Sequence, residues 1–209
     1  MTKQHPNSVL YCQLMEAIKQ RTDVVLLNTR MLGGNCHYMG VNFVAEFCLL
    51  QLRFCCELLA LGCVAIHTDA PSTKKLEKEW NAEQIMKAFE KIKPKFFPKA
   101  IKSAPMPNGS VDQQPVTGSL TKEEFVKMYS FIGKMLHSGT LRSLKTQNSQ
   151  RYDIKIIDDF MGKLIKLLED HIYLLYDEKR MIRVIMNNVA DGKVWMNELL
   201  RTELLEQQP

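Results

Sequence analysis

Residues 46–67 read EFCLLQLRFCCELLALGCVAIH, an apolar run that contains three charged side chains. The run is long enough to span a bilayer, but each charge at mid-membrane would cost about 2.5–3.5 kcal/mol. Plotted at about 100° per residue, Glu46, Arg53 and Glu57 fall within one narrow sector. A helix that is apolar all round except for one polar stripe is typical of the centre of a soluble bundle. The sequence therefore predicts a central helix at about 41–67 and no membrane span.

Helical patterns also surround this run. Apolar residues at helical spacing predict an amphipathic helix near 8–20, and Asn81 is a suitable N-cap for a second helix. The sequence Thr121-Lys-Glu-Glu has the form of a capping box, so a further helix is expected to start there and to end near His137. Residues 23–31 fit either a short helix or a strand, and helix is favoured.

In the C-terminal third the spacing of apolar residues changes from that of a helix to that of strands. One more helical pattern precedes HIYLLYDEKRMIRVIMNN, which predicts two strands around a turn at residues 177–179. A Pro/Gly-rich stretch at about 98–120 is interpreted as a long loop. We therefore predict a mainly α fold, with a helical bundle over 1–140 and a small α+β appendage over 141–209, a helix plus a β-hairpin, that can pack on the bundle.

Composition and charge restrict the function classes only weakly. The chain has 209 residues, and its 28 Lys and Arg against 23 Asp and Glu give a formal net charge of +5. That excess permits binding to a polyanion, but a dedicated nucleic-acid binder usually has a denser basic face. The N-terminal sequence MTKQHPNSVLYCQ lacks the apolar region of a signal peptide, so a cytoplasmic location is expected.

The cysteine pattern predicts free thiols and no metal site. All six cysteines lie in the first third of the chain, and four of them belong to the central helix. Within that helix Cys48 and Cys55 are two turns apart, a rise of about 10 Å, which is too far for a disulfide. Cys36 and His37 are the one adjacent Cys/His pair, and no C-x-x-C pair is present. We therefore expect neither a metal nor a cofactor.

The polar stripe of the central helix is the candidate catalytic site. Arg53 and Glu57 are spaced i,i+4 and can form an ion pair, whereas Glu46 needs another partner. One interpretation is a buried ion pair that fixes helix register. The alternative is a cleft in which Arg53 holds an anion. His67, at the end of the helix, then serves as a base, although a histidine at this position can equally be a favourable contact with the helix dipole.

A second candidate site is the segment KIKPKFFPKAIK, which places lysines beside two phenylalanines. Lys91 and Lys95 can follow a nucleic-acid backbone while Phe96 and Phe97 stack on bases. In the structural alternative the two aromatic rings cap the bundle and the lysines keep the segment soluble.

Two short motifs carry a family resemblance. The stretch LQLRFCCELL on the central helix, with YSFIGKMLH on a later one, resembles the Arg-x-x-x-Glu helix and the Tyr…His helix of HEPN-like all-α bacterial domains, over about residues 5–140. The resemblance implies a helical bundle, often dimeric, in phage defence, toxin systems or RNA processing. Ribonucleases of that group carry Arg, four to six residues, then His on one helix. Here Arg30 and His37 have that spacing, but Gly33-Gly34 lies between them and Met31 replaces the usual polar neighbour.

Three functions follow from these observations. The first is a bacterial binding or regulatory module whose partner is RNA, a nucleotide or another protein. The second is a metal-independent ribonuclease in which Arg53 steadies the phosphate and His137 is the general acid or base. The third is a structural homodimer subunit, which would show a broad apolar patch on the bundle surface. The enzyme requires Arg53 and His137 in one accessible cleft, whereas the module requires the Arg53–Glu57 pair to be satisfied internally.

Overall fold

A computed structural model describes residues 5–32, 40–105, 111–137 and 152–200 of the chain. Its helices are α1 (Ser8–Leu32), α2 (Val41–Ile66), α3 (Ala82–Ile92), α4 (Lys122–Leu136) and α5 (Ile154–Leu168), with a 3-10 helix at Thr73–Lys78. Its strands are β1 (Lys99–Pro105), β2 (Val111–Pro115), β3 (Asp170–Leu174), β4 (Arg180–Ile185) and β5 (Trp195–Leu200).

Helix α2 occupies the centre, as the sequence predicts. It packs against α1, α3, α4 and α5, and its buried face includes Cys48, Leu52 and Leu59. By length and composition α2 is also apolar enough to cross a membrane, and 61% of its most apolar window is buried inside the protein. The same apolarity that fits a membrane span therefore serves here mainly to fill the core.

Helix α1 is continuous to Leu32, so residues 23–31 are helical, as the favoured interpretation has it. The reason is its partner: α1 lies antiparallel along α2, and Val25 is fully buried between them. Arg21 fixes the pairing by donating from Nη1 to Oε1 of Gln51 over 2.6 Å. Tertiary packing thus decides the secondary structure of a segment whose local pattern is ambiguous.

Side-chain caps mark the helix starts that the sequence predicts. Asn81 accepts a hydrogen bond from the backbone N–H of Gln84 at the start of α3. At the start of α4, Thr121 and Glu124 form a reciprocal capping box. These local signals position α4, which presents Tyr129 to α2.

The strands form one antiparallel sheet in the order β2-β1-β3-β4-β5. The predicted hairpin of β3 and β4 is confirmed, and Asp177 stabilises its turn by accepting the backbone N–H groups of Lys179 and Arg180. Residues 195–200 add the edge strand β5, which pairs with β4.

The prediction of one long loop over 98–120 was wrong. This stretch contains β1 and β2, and β1 joins the C-terminal strands through the pairs Lys99↔Ile172 and Ala100↔His171. Strand β1 has little apolar alternation to reveal it, and its pairing with β3 joins segments that are distant in sequence. The hydrophobic core is one cluster that takes in α5, β3 and β4 together with α1 to α4. The coarser prediction holds: the described residues are mainly helical, with an antiparallel sheet.

Two Gly→Ala substitutions, one in α2 and one in α5, test how closely α1 packs against α2. A Cβ at Gly62 of α2 would lie 3.0 Å from the Tyr11 ring and 3.3 Å from Met15, whereas a Cβ at Gly162 of α5 would meet nothing within 4 Å. We expect Gly62→Ala to lower the free energy of unfolding by about 1–3 kcal/mol through overpacking. Gly162→Ala should raise it by about 0.5–1 kcal/mol, because alanine has the higher helix propensity.

Urea unfolding of both variants beside the wild type gives the comparison. Stabilisation by both substitutions would contradict the close contact between α1 and α2.

Candidate functional site

Three polar side chains form a closed triangle between α2 and α4. Arg53 donates from Nε to Oε1 of Glu57 over 3.1 Å and from Nη2 to the Tyr129 hydroxyl oxygen over 3.1 Å. The Tyr129 hydroxyl in turn donates to Oε1 of Glu57 over 3.2 Å. The guanidinium carbon also lies 4.7 Å from the centre of the Tyr129 ring, within cation–π range. Each member therefore contacts both of the others.

Local sequence explains how the triangle assembles. Arg53 and Glu57 meet because i,i+4 residues share a helix face. Tyr129 lies on the α4 face that packs on α2, where Phe125 and Ile132 are also buried. A Cβ at Gly133 would be 3.2 Å from Nη1 of Arg53, so the absence of a side chain there leaves room for the guanidinium.

The triangle is half-buried rather than sealed. The side chains of Arg53 and Glu57 are 23% and 20% exposed, and Tyr129 is 3% exposed. Burial, and then the negative charge of Glu57, raise the pKa of Tyr129 to about 12, so its hydroxyl keeps its proton and remains a donor. A fully buried pair would lose 3–5 kcal/mol on removal of one partner, and partial exposure lowers that expectation.

Glu46 has the separate partner that the sequence requires of it. Its Oε1 accepts a hydrogen bond from the Tyr152 hydroxyl over 2.7 Å. Burial, followed by the contact with Glu46, raises the pKa of Tyr152 to about 12. Glu46 therefore ties α2 to the chain just before α5 and takes no part in the triangle.

His137 lies at the C-cap of α4 and is exposed. It follows Gly133, the residue beside Arg53, by one helical turn. The contacts that fix Arg53 and Glu57 are complete without it. The triangle thus contains two of the three residues predicted as catalytic, and Tyr129 as a member that the sequence analysis assigned only to packing.

His67 is a core residue, which corrects its prediction as an accessible base. Its side chain is 0% exposed, and Nε2 lies 2.8 Å from the carbonyl oxygen of Phe96. Nδ1 is buried and has no hydrogen-bond partner among the described residues. Burial lowers the pKa of His67 to about 4, so the ring is neutral near pH 7.

A second buried polar group, which the sequence analysis missed, joins α1 to β3. The Tyr11 hydroxyl is 2.7 Å from Nε2 of His171 and 3.1 Å from the Tyr173 hydroxyl. Nδ1 of His171 lies 2.8 Å from the carbonyl oxygen of Leu168, which requires the proton on Nδ1 and leaves Nε2 to accept from Tyr11. Burial lowers the pKa of His171 to about 4. Strand alternation, which puts His171 and Tyr173 on one face, was the available signal.

The Lys/Phe segment divides between core and surface. Phe96 is fully buried and stacks on Phe89 with ring centres 5.0 Å apart, which agrees with the structural alternative and leaves its ring inaccessible to a base. Phe97 is half-buried and packs edge-on against Phe125. Lys91 and Lys95 are exposed.

The accessible part of this segment lines a pocket of about 240 Å³ on the sheet. Lys95, Phe97 and Lys99 contribute to it together with three apolar strand residues, Ile172, Leu174 and Met181. The pocket thus combines an apolar floor with two lysines, and it keeps one of the two predicted aromatic rings.

The described residues contain no group of three or more His, Cys, Asp or Glu that could hold a metal ion. Cys36 and His37 lie outside the described residues, and so does the His37 end of the Arg30–His37 spacing. The five described cysteines are free, and burial raises the pKa of Cys55 and Cys63 to about 12, which keeps these thiols protonated and unreactive.

No protein-family model matches this chain, and searches of curated proteins and of solved structures returned no significantly similar protein.

The substitution Arg53→Ala measures how much the triangle contributes to the free energy of unfolding. Arg53→Ala leaves the Glu57 carboxylate half-buried with one fewer cation and one fewer donor, and we expect a loss of about 1–3 kcal/mol in the free energy of unfolding. Lys87→Ala is a matched control, because Lys87 and Glu83 form an i,i+4 pair whose lysine is 60% exposed. Its loss should not exceed about 0.5 kcal/mol. Urea unfolding that gives equal losses for the two variants would contradict a structural role for the triangle.

The two fully buried histidines, His67 and His171, predict acid sensitivity. Their pKa is lowered from the ordinary 6.5 to about 4 in the folded chain. As the pH falls from about 6.5 to 4, the unfolded chain binds protons that the folded chain excludes, so the free energy of unfolding decreases by up to about 1.4 kcal/mol per pH unit for each histidine. Urea midpoints measured across this range should fall, and His171→Gln should show the shallower slope. A midpoint independent of pH would refute the buried neutral state.

Proposed function

We propose that this chain is a binding or regulatory module in which the polar stripe of α2 has a structural and not a catalytic role. The closed triangle of Arg53, Glu57 and Tyr129 carries this proposal. Each group has its charge or hydroxyl satisfied by the other two. This is the arrangement expected of an internal ion pair.

Catalysis at the triangle would require its members to exchange partners. A phosphate bound at Arg53 would compete with the carboxylate of Glu57, which is already 3.1 Å from Nε. Tyr129 cannot act as a base near neutral pH, because burial raises its pKa to about 12. A general acid or base must also reach the reacting group within hydrogen-bond distance. These facts favour the module over the ribonuclease.

Another protein is the partner class that this surface supports best. The Lys/Phe segment offers exposed Lys91 and Lys95 but only one partly accessible ring, Phe97, which is a sparse platform for RNA or a nucleotide. Large apolar side chains are in contrast exposed along α1 and α2. We further propose a cytoplasmic location, which the free cysteines support, and the HEPN-like resemblance with its link to phage defence or toxin systems stays a prediction.

The experiment is RNA cleavage by the purified full chain beside Arg53→Lys and His137→Ala, with the fold of each checked by circular dichroism. We expect no cleavage by the wild type above a buffer control, and Arg53→Lys to be less stable, because lysine cannot bond Glu57 and Tyr129 in the same planar geometry. His137→Ala should leave the triangle in place, because none of its three hydrogen bonds involves His137. Cleavage by the wild type that both folded variants lose would overturn the proposal in favour of a nuclease.

A further inference from the structure

The pocket beside the Lys/Phe segment has its floor on the outer face of the sheet. Lys99 on β1 pairs with Ile172 on β3, and Leu174, two residues further along β3, pairs with Met181 on β4. Directly paired residues, and residues two positions apart on one strand, share a face of a sheet. All four line the pocket. Tyr173, between the two apolar β3 residues, points to the opposite face and is fully buried.

The chain between α3 and β1 forms the wall of the pocket. Burial alternates along it, so that Phe96 and Pro98 are buried while Lys95, Phe97 and Lys99 lie on the pocket side. The Phe97 ring is held by edge-on contacts with two other phenylalanine rings. Pro98 also fixes one backbone dihedral of this segment. The wall is therefore in place before any ligand binds, which lowers the entropic cost of binding.

The two lysines of the pocket have no carboxylate partner within the described parts of the chain. Lysines elsewhere do, since Lys19, Lys122 and Lys163 each form an ion pair. The acid on the same sheet face, Asp170, is held by two hydrogen bonds from Arg183. The lining residues of the pocket include neither Asp nor Glu. Two ammonium groups thus adjoin an apolar floor that brings no counter-ion of its own.

We propose that this pocket binds a small aromatic carboxylate, with the ring on the apolar floor and the carboxylate beside Lys95 and Lys99. A carboxylate offers two acceptor oxygens, one for each ammonium group. A ring is favoured over an alkyl chain, because Phe97 supplies an aromatic neighbour and Met181 a thioether, both of which contact rings favourably.

The size of the pocket limits the ligand. Its volume is about 240 Å³. A cavity of roughly 150 Å³ holds benzene, and pockets for drug-sized ligands begin at about 300 Å³. The pocket therefore fits one ring with a short acidic side chain.

A polyanion is a poorer match for this place. A groove for single-stranded nucleic acid combines a row of cations with several stacking rings, whereas this pocket has two lysines and one ring. The inference goes beyond the proposed function, because it adds a small-molecule ligand to the module. No residue that lines the pocket belongs to the triangle.

The test is an NMR titration of the full chain, with isotope-labelled methionine methyl groups, against phenylpropionate. The Met181 methyl signal, identified by its loss in Met181→Leu, reports on the pocket floor. We expect this signal to shift with a dissociation constant of about 0.1–1 mM, as suits a ligand of this size. Phenylpropanamide, which lacks the charge, and propionate, which lacks the ring, should each bind about tenfold more weakly.

Two variants separate charge from shape, and circular dichroism checks the fold of each. The double substitution of Lys95→Gln with Lys99→Gln should weaken phenylpropionate about tenfold and leave phenylpropanamide unchanged. Leu174→Trp fills the pocket with a side chain that strands favour, and it should abolish binding of both compounds. Lys91→Gln is the matched control, because Lys91 is exposed at the end of α3 and does not line the pocket.

Several results would overturn the proposal. They are a Met181 signal that stays unchanged at about 10 mM phenylpropionate, equal affinities for the acid and the amide, undiminished binding by folded Leu174→Trp, and a loss in Lys91→Gln as large as in the double variant. Tighter binding of a tripeptide that ends in phenylalanine would also overturn it, because the surface would then recognise the end of a protein chain. None of these results depends on RNA cleavage, so the pocket and the non-catalytic role of the triangle are tested separately.

Discussion

The burial of α2 is the constraint on which the rest of the structure depends. Its apolar side chains cover nearly the whole circumference, so one neighbour cannot satisfy it. Helices α1, α3, α4 and α5 cover it from different sides, and the sheet closes the same core through β3 and β4. The polar stripe then imposes a second condition, because charges beside that core need partners. Tyr129 and Tyr152 meet the condition with hydroxyl groups, which bring no additional charge.

The parts of the fold that the sequence predicts are those with local signals. Asn81 and Thr121 start their helices through side-chain caps that involve residues three positions away. The β3–β4 hairpin likewise depends on a short turn stabilised by Asp177. Strands β1 and β2 have no comparable signal. The pairing of Lys99 with Ile172 joins distant segments, and loop composition alone conceals it.

The candidate site likewise has one part that local sequence predicts and another part that depends on tertiary packing. The Arg53–Glu57 pair follows from helical spacing, whereas the choice of Tyr129 as the group that closes it depends on the packing of α4. His67 shows the opposite case, because a histidine at a helix C-terminus is ordinarily exposed and here the Phe89–Phe96 region encloses it. The sequence pattern did not predict the buried contact of Tyr11 with His171. This contact ties α1 to the sheet, so the N-terminal and C-terminal parts share one polar anchor as well as one apolar core.

Burial along α2 is unequal between its two ends, although the helix is apolar throughout. From Gly62 to Ile66 every residue is buried, whereas Val41, Asn42 and Phe43 at the other end are all exposed. The apolar character of the helix does not decline in parallel, since Phe43, Phe47 and Leu50 at the exposed end are large apolar residues. Because hydrophobic stabilisation is roughly proportional to the apolar area removed from water, the Ile66 end of α2 contributes more to the stability of the fold than the Val41 end.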